Sequence, residues 1–143
     1  MANLTITAAN LLVTAGNTNA LLGTAGATIT AGQVIYLDTG DTEWKLAQCD
    51  GTDPESGDDG LAIALHAALD GQPLSYINIG DLDFGAIITA GVVYVVSNTA
   101  GAIMPIADFT TSTWKFSPVG YGKSTTTMTM LCDSIGATLI ALA

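Results

Sequence analysis

Apolar and polar positions change over in short blocks along this chain. Gly, Pro, Asn or Asp interrupts it about every 8–15 residues, which is the rhythm of an all-β domain. The intervening runs are rich in β-branched and aromatic residues. Residues 33–37 (QVIYL), 74–79 (LSYINI), 92–97 (VVYVVS) and 128–132 (MTMLC) are the clearest strands. Residues 44–47, 86–89 and 114–119 are weaker ones. No long stretch combines helical apolar spacing with caps.

Residues 61–69 (LAIALHAAL) read two ways. Their Ala and Leu content favours helix. Their order alternates, with Leu61, Ile63 and Leu65 on one side and Ala62, Ala64 and His66 on the other. Asp70-Gly71-Gln72-Pro73 is turn chemistry leading into another strand. A strand ending in a short turn is therefore expected.

The first 22 residues differ from the rest. Leu4 and Ile6 alternate with Thr5 and Thr7, then Asn, Ala and Gly dominate, with no charged side chain. The expected organisation is an extended arm over 1–22, outside the compact core, and one β domain over 23–143; an ordinary edge strand is the plainer alternative for the arm. An internal echo links 27–37 (ATITAGQVIYL) to 86–96 (AIITAGVVYVV). Each is an apolar run, a Thr-Ala-Gly corner and a tyrosine-bearing strand. Gly32 and Gly91 would supply the positive φ of a tight turn. Duplication and reuse of one turn both account for it.

At 143 residues the chain fits one domain with one real core. Charged residues make up 11%, far below the roughly 25% of an average soluble domain, so Thr, Ser, Asn, Gly and Ala must face water instead. Thirteen acids stand against three lysines (Lys45, Lys115, Lys123) and no arginine, for a net charge of −10. Nucleic acid and anionic membranes are gripped by cations, so neither is an expected partner. No run reaches a membrane span; 61–69 and 135–143 are both too short. The start of the chain lacks the positive region of a signal peptide, and cytoplasmic synthesis is expected. Cys49 and Cys132 follow no metal spacing; two free, partly buried thiols are expected, with a single disulfide as the alternative.

Several motifs resemble catalytic or binding signatures. Gly120-Tyr121-Gly122-Lys123-Ser124 resembles the end of a phosphate-binding loop, but Ser117 stands where a glycine is needed and Thr125-Thr126-Thr127 follows where a helix should begin. A glycine-kinked strand or turn is expected. The stretch 50–59 (DGTDPESGDD) lacks the register and terminal glutamate of a calcium loop, and Pro54 interrupts it. Asp53, Glu55, Asp58 and Asp59 read as a solvated loop. Asp81 and Asp83 flank Leu82 and would share a face in a strand, without an evident catalytic partner; solvent-face residues of a β-turn are expected. His66, the only histidine, lies among alanines with no nucleophile-elbow sequence nearby. No catalytic residue, cofactor or metal is expected, and the chain reads as a non-enzyme. Trp44 and Trp114, each beside a lysine, are candidate interface anchors, with a core or rim position as the alternative.

Residues 23–38 (GTAGATITAGQVIYLD), 45–52 (KLAQCDGT), 60–74 (GLAIALHAALDGQPL) and 89–103 (TAGVVYVVSNTAGAI) carry a resemblance. Together with the TITAAN start at 5–10, this pattern of turns and strands over roughly 4–125 resembles the capsid cement, or head decoration, proteins of tailed phages. The resemblance implies a small β-barrel or β-sandwich, often a homotrimer. It also implies binding to the major capsid protein on the outer capsid surface of the virion. The arm would lie along a neighbour by strand addition, with Leu4, Ile6, Leu11, Leu12 and Val13 filling pockets and avidity adding up weak contacts. A β-rich receptor- or glycan-binding module of a tail fibre is the alternative. A hydrolase with an unrecognised site is a third reading.

Overall fold

In the computed structural model, which describes residues 3–13, 20–52, 54–57, 60–130, 132 and 140–141, the β-branched runs become strands of two packed antiparallel sheets. The order is β1 (Leu12–Val13), β2 (Leu21–Thr24), β3 (Val34–Asp38), β4 (Glu43–Leu46), β5 (Leu61–Ala64), β6 (Pro73–Ile77), β7 (Gly80–Asp83), β8 (Val93–Val96), β9 (Ile103–Pro105), β10 (Lys115–Phe116), β11 (Pro118–Gly122), β12 (Thr127–Met130) and β13 (Ile140–Ala141). The described helices are single 3₁₀ turns at Ala8–Asn10, Pro54–Ser56 and Ile106–Asp108. The expected all-β class holds, and the architecture is a sandwich rather than a barrel.

The six-stranded sheet runs β1-β7-β12-β11-β8-β9 and the five-stranded sheet β2-β6-β5-β3-β4. Set β1 aside and the two have one topology. In each, the first strand pairs the last, the last pairs the fourth, the fourth pairs the second, and the second pairs the third. The β10–β13 ribbon stands outside this shared order: β10 falls between β9 and β11, and β13 follows β12. The two Thr-Ala-Gly corners open equivalent strands, β3 and β8. Gly32 (φ +87°) and Gly91 (φ +83°) hold the third position of each turn. The amides of Gln33 and Val92 donate to the carbonyls of Thr30 and Thr89, each at 3.3 Å. Positive φ at that position is the type II signature. The echo therefore extends from turn sequence to strand order, as a duplication would produce.

The main core lies between the sheets: Val34, Tyr36, Leu61, Ile63 and Ile77 meet Leu82, Phe84, Tyr94, Val96 and Met128. A second core lies on the other face of the five-stranded sheet, where Ile35, Ala62, Ala64 and Leu74 pack with Ala25, Ile29, Trp44 and Ala68. A bridge between Ala25 and Trp44 brings the edges β2 and β4 together at one corner.

This second core explains residues 61–69. All four side chains of β5 are buried. The alternation is one of size: Leu61 and Ile63 enter the main core, Ala62 and Ala64 the tighter one. The chain then bends, and Ala68 bridges to Ile29. Residues 86–89 are not a strand but a turn-rich connection; Ile88 is nonetheless buried, and its amide donates to the carbonyl of Thr125 at 3.0 Å. The range 135–143 is described only at 140–141, in β13.

Candidate interaction surface

The first 13 residues are where structure and expectation part. Residues 14–19 of the expected arm lie outside the described residues, but 3–13 lie along the domain. The amide of Leu4 donates to the carbonyl of Ile103 at 2.8 Å, and Asn3 accepts a 2.7 Å bond from Ser97 Oγ through Oδ1. Leu4 and Ile6 are half-buried against the main core, and Leu11 is inside it. Ile6 sits over Gly32: a β-carbon there would lie 2.5 Å from Ile6 Cγ2. Asn10 sits likewise over Gly85 (φ +79°).

Leu12 and Val13 form β1, paired with Asp83 and Leu82 of β7. A boundary at residue 22 would divide β2, whose Leu21 and Leu22 pair with Tyr76 and Ser75. Residues 3–13 and 21–22 are thus integral to the fold, not part of an arm outside it, for a physical reason. Without β1, the edge of β7 beside buried Leu82 would be open, and open edges tend to be covered.

Of the seven residues expected at an interface, two are on view. Leu12 is 60% exposed and Val13 is exposed beside it, whereas Leu4, Ile6 and Leu11 face their own domain. Trp44 is a core residue, 6% exposed. Its ring centroid lies 4.4 Å from that of Tyr76, and it packs over Gly23, where a β-carbon would fall 2.8 Å from Trp44 Nε1. Being core, it is not an interface anchor. Trp114 takes the rim position. It is half-buried, edge-on to Phe109 at 6.0 Å, and Phe109 is edge-on to Phe116 at 5.7 Å.

The structure adds residues that the pattern of the sequence did not single out. Leu21 and Leu22, the latter 72% exposed, project from β2 at the edge of the five-stranded sheet. The Ser75 amide donates to His66 Nε2, and its carbonyl accepts from Leu65. Its partner Leu22 therefore turns its own backbone groups outward, where strand addition takes place. The available signal was the Leu-Leu pair itself: adjacent residues of a strand point to opposite faces, so one core cannot take both.

The other singled-out groups have local structural partners. Gly120 and Gly122 lie in β11, where a β-carbon would meet the carbonyl oxygens of Thr129 and Thr89. Lys123 donates to Asp81 Oδ2 at 2.6 Å, and Ser124 Oγ accepts from the amides of Thr126 and Thr127. The expected kinked strand and turn are thus observed. Asp81 and Asp83 lie in β7, not in a turn. The bond from Lys123, helped by Thr129 Oγ1 at 2.8 Å, holds the Asp81 carboxyl below its ordinary value. Asp83 Oδ1 accepts from the Gly85 amide.

His66 accepts from the Ser75 amide through Nε2 at 3.0 Å, which leaves Nδ1 carrying the proton toward the Ala67 carbonyl at 2.9 Å. The ring thereby ties the bend after β5 to β6. Lys45 bridges Asp38 and Asp41 at 2.7 and 2.8 Å across the β3–β4 turn. Both cysteines are buried. Burial, with the charge of Asp50 second, pushes the Cys49 thiol up to about 12.

In the acidic stretch, Asp53, Asp58 and Asp59 lie outside the described residues; Glu55 accepts from Thr52 Oγ1 at 3.2 Å. Among the described residues, no group of three or more His, Cys, Asp or Glu is placed to hold a metal ion, and no helix is long and apolar enough to cross a membrane. No protein-family model matches the chain, and no curated protein matches it.

Proposed function

We propose that this protein is a structural adhesive: a decoration protein that binds the outer surface of a phage head and stabilises the lattice of major capsid protein. One observation carries the reading. Each sheet ends in an edge strand with apolar side chains turned to solvent, Leu12 and Val13 on β1 and Leu21 and Leu22 on β2. Edge strands offer backbone hydrogen bonds, and apolar side chains beside them offer area to bury, the two components of strand addition. The acidic balance supports it: a chain at −10 suits the outside of a nucleic-acid container better than its inside. The resemblance over roughly 4–125 supplies the capsid, and with it the homotrimer.

The mechanism differs from an arm that reaches away from the domain. The gripping elements are fixed strands of a rigid sandwich, so little ordering entropy is lost on binding. The test is co-sedimentation with undecorated capsids. Leu12→Asp and Leu22→Asp together should leave the unfolding midpoint unchanged and abolish attachment. Attachment undiminished in that variant, or none by the unaltered protein, would overturn the reading.

A further inference from the structure

We infer that the end of the sandwich walled by the turns at 30–33 and 99–102 is the face through which two copies of this chain meet. The chain carries 16 charged side chains, 13 acids and 3 lysines, and all of them fall within 38–83 or 108–133. Residues 1–37 and 84–107 carry none. The fold gathers these two distant stretches together. The Leu4 amide reaches the Ile103 carbonyl, the Val34 amide reaches the Gly101 carbonyl at 3.0 Å, and Ser97 Oγ reaches Asn3.

Between the stretches lies a shallow cavity of about 250 Å³, lined by Leu4, Ile6 and the turns at 30–33 and 99–102, with no charged residue in its wall. Thr5, Thr30, Thr99 and Ala100 are exposed around it. Small side chains of this kind let backbones approach closely.

Charge identifies the occupant. A cationic partner would be drawn to the carboxylates, not to a face that lacks them. A second copy has the opposite requirement. It brings another −10, and like charges brought into contact and dehydrated are costly. The two molecules approach without that penalty only where neither presents an acid. This inference rests on the adhesive reading and names the partner of one face; edge strands β1 and β2 are left for the larger neighbour.

Light scattering and sedimentation velocity on the full chain, without capsids, test it. The unaltered protein should exceed monomer mass at about 100 µM. Thr30→Glu with Ala100→Glu should weaken association about 100-fold or more with the melting temperature unchanged. Thr113→Glu, exposed but outside both stretches, should associate as the unaltered chain does. A monomeric unaltered protein, or oligomers indifferent to the two glutamates, would overturn the inference. So would a monomer whose glutamate variant no longer binds capsids, because the face would then belong to the capsid protein. Loss of capsid binding by the Leu12 and Leu22 variant bears only on the adhesive reading, so the two can fail separately.

Discussion

Ile6 occupies the space above Gly32, with its Cγ2 2.5 Å from where a β-carbon on that glycine would stand. The equivalent glycine of the second half, Gly91, has nearly the same φ and nothing within 4 Å. The duplication thus contains its own control. Gly32→Ala adds backbone strain and a collision with Ile6; Gly91→Ala adds the strain alone. The expected loss of stability is about 1–2 kcal/mol at Gly91 and about 1 kcal/mol more at Gly32, read from urea unfolding. Hydrogen exchange at residues 3–7 should accelerate only in Gly32→Ala. Equal losses at both positions would mean that the N-terminal segment does not rest on the turn.

Leu11 and Leu12 are neighbours with opposite environments, one in the main core and one 60% exposed. Leu11→Ala should destabilise by about 2–4 kcal/mol through the cavity it leaves. Leu12→Ala should stay within about 0.5 kcal/mol. Denaturant midpoints of the two variants decide whether this segment is part of the fold or an arm outside it. An arm would give two small and equal effects.

The strand runs were legible because β-branched and aromatic residues between turn signals leave few alternatives, as at Val34–Asp38 and Val93–Val96. The N-terminal segment was not. Its mix of Thr, Ala and Asn looks unfit for a core, and its contacts are with Ile103, Gly32 and Gly85, far along the chain. Trp44 was misplaced for a related reason. Lys45 beside it implies a surface, but on a strand the next residue faces the other way, and Lys45 turns out to Asp38 and Asp41 while Trp44 turns in. The repeated Thr-Ala-Gly corner was visible in the sequence. That the two copies open equivalent strands of separate sheets depends on pairing order, which no local pattern encodes.

Asp81 and Lys123 form an ion pair between β7 and the turn after β11, with the carboxylate side chain 26% and the lysine 59% exposed. The Asp81 carboxyl lies below its ordinary value when folded. Its contribution is therefore complete above about pH 4 and lost as pH falls through the depressed folded value. Lys123 is raised by the same bond, so the contribution also fades at the alkaline end, as pH climbs through that raised value. Solvent screening keeps that contribution small. Asp81→Asn should lose it at pH 7 and flatten the acid side of the stability profile between about pH 5 and 2. An unchanged profile would show that the pair contributes nothing in solution.

Cys49 and Cys132 are both buried in the main core. The Cys49 thiol, pushed up to about 12, holds almost no thiolate at pH 8, and the thiolate is the nucleophile. Cys132 Sγ lies 3.4 Å from the Val119 carbonyl, to which it donates. Neither sulfur should react with a thiol reagent in the folded protein except through opening of the main core, to which both belong. Labelling at pH 8 should therefore be slow and should accelerate with urea in step with unfolding. Both thiols should become available together if the two sheets separate as one cooperative unit. Fast labelling of Cys132 while Cys49 stays protected would show instead that the chain end opens separately, and would remove Cys132 from the cooperative core.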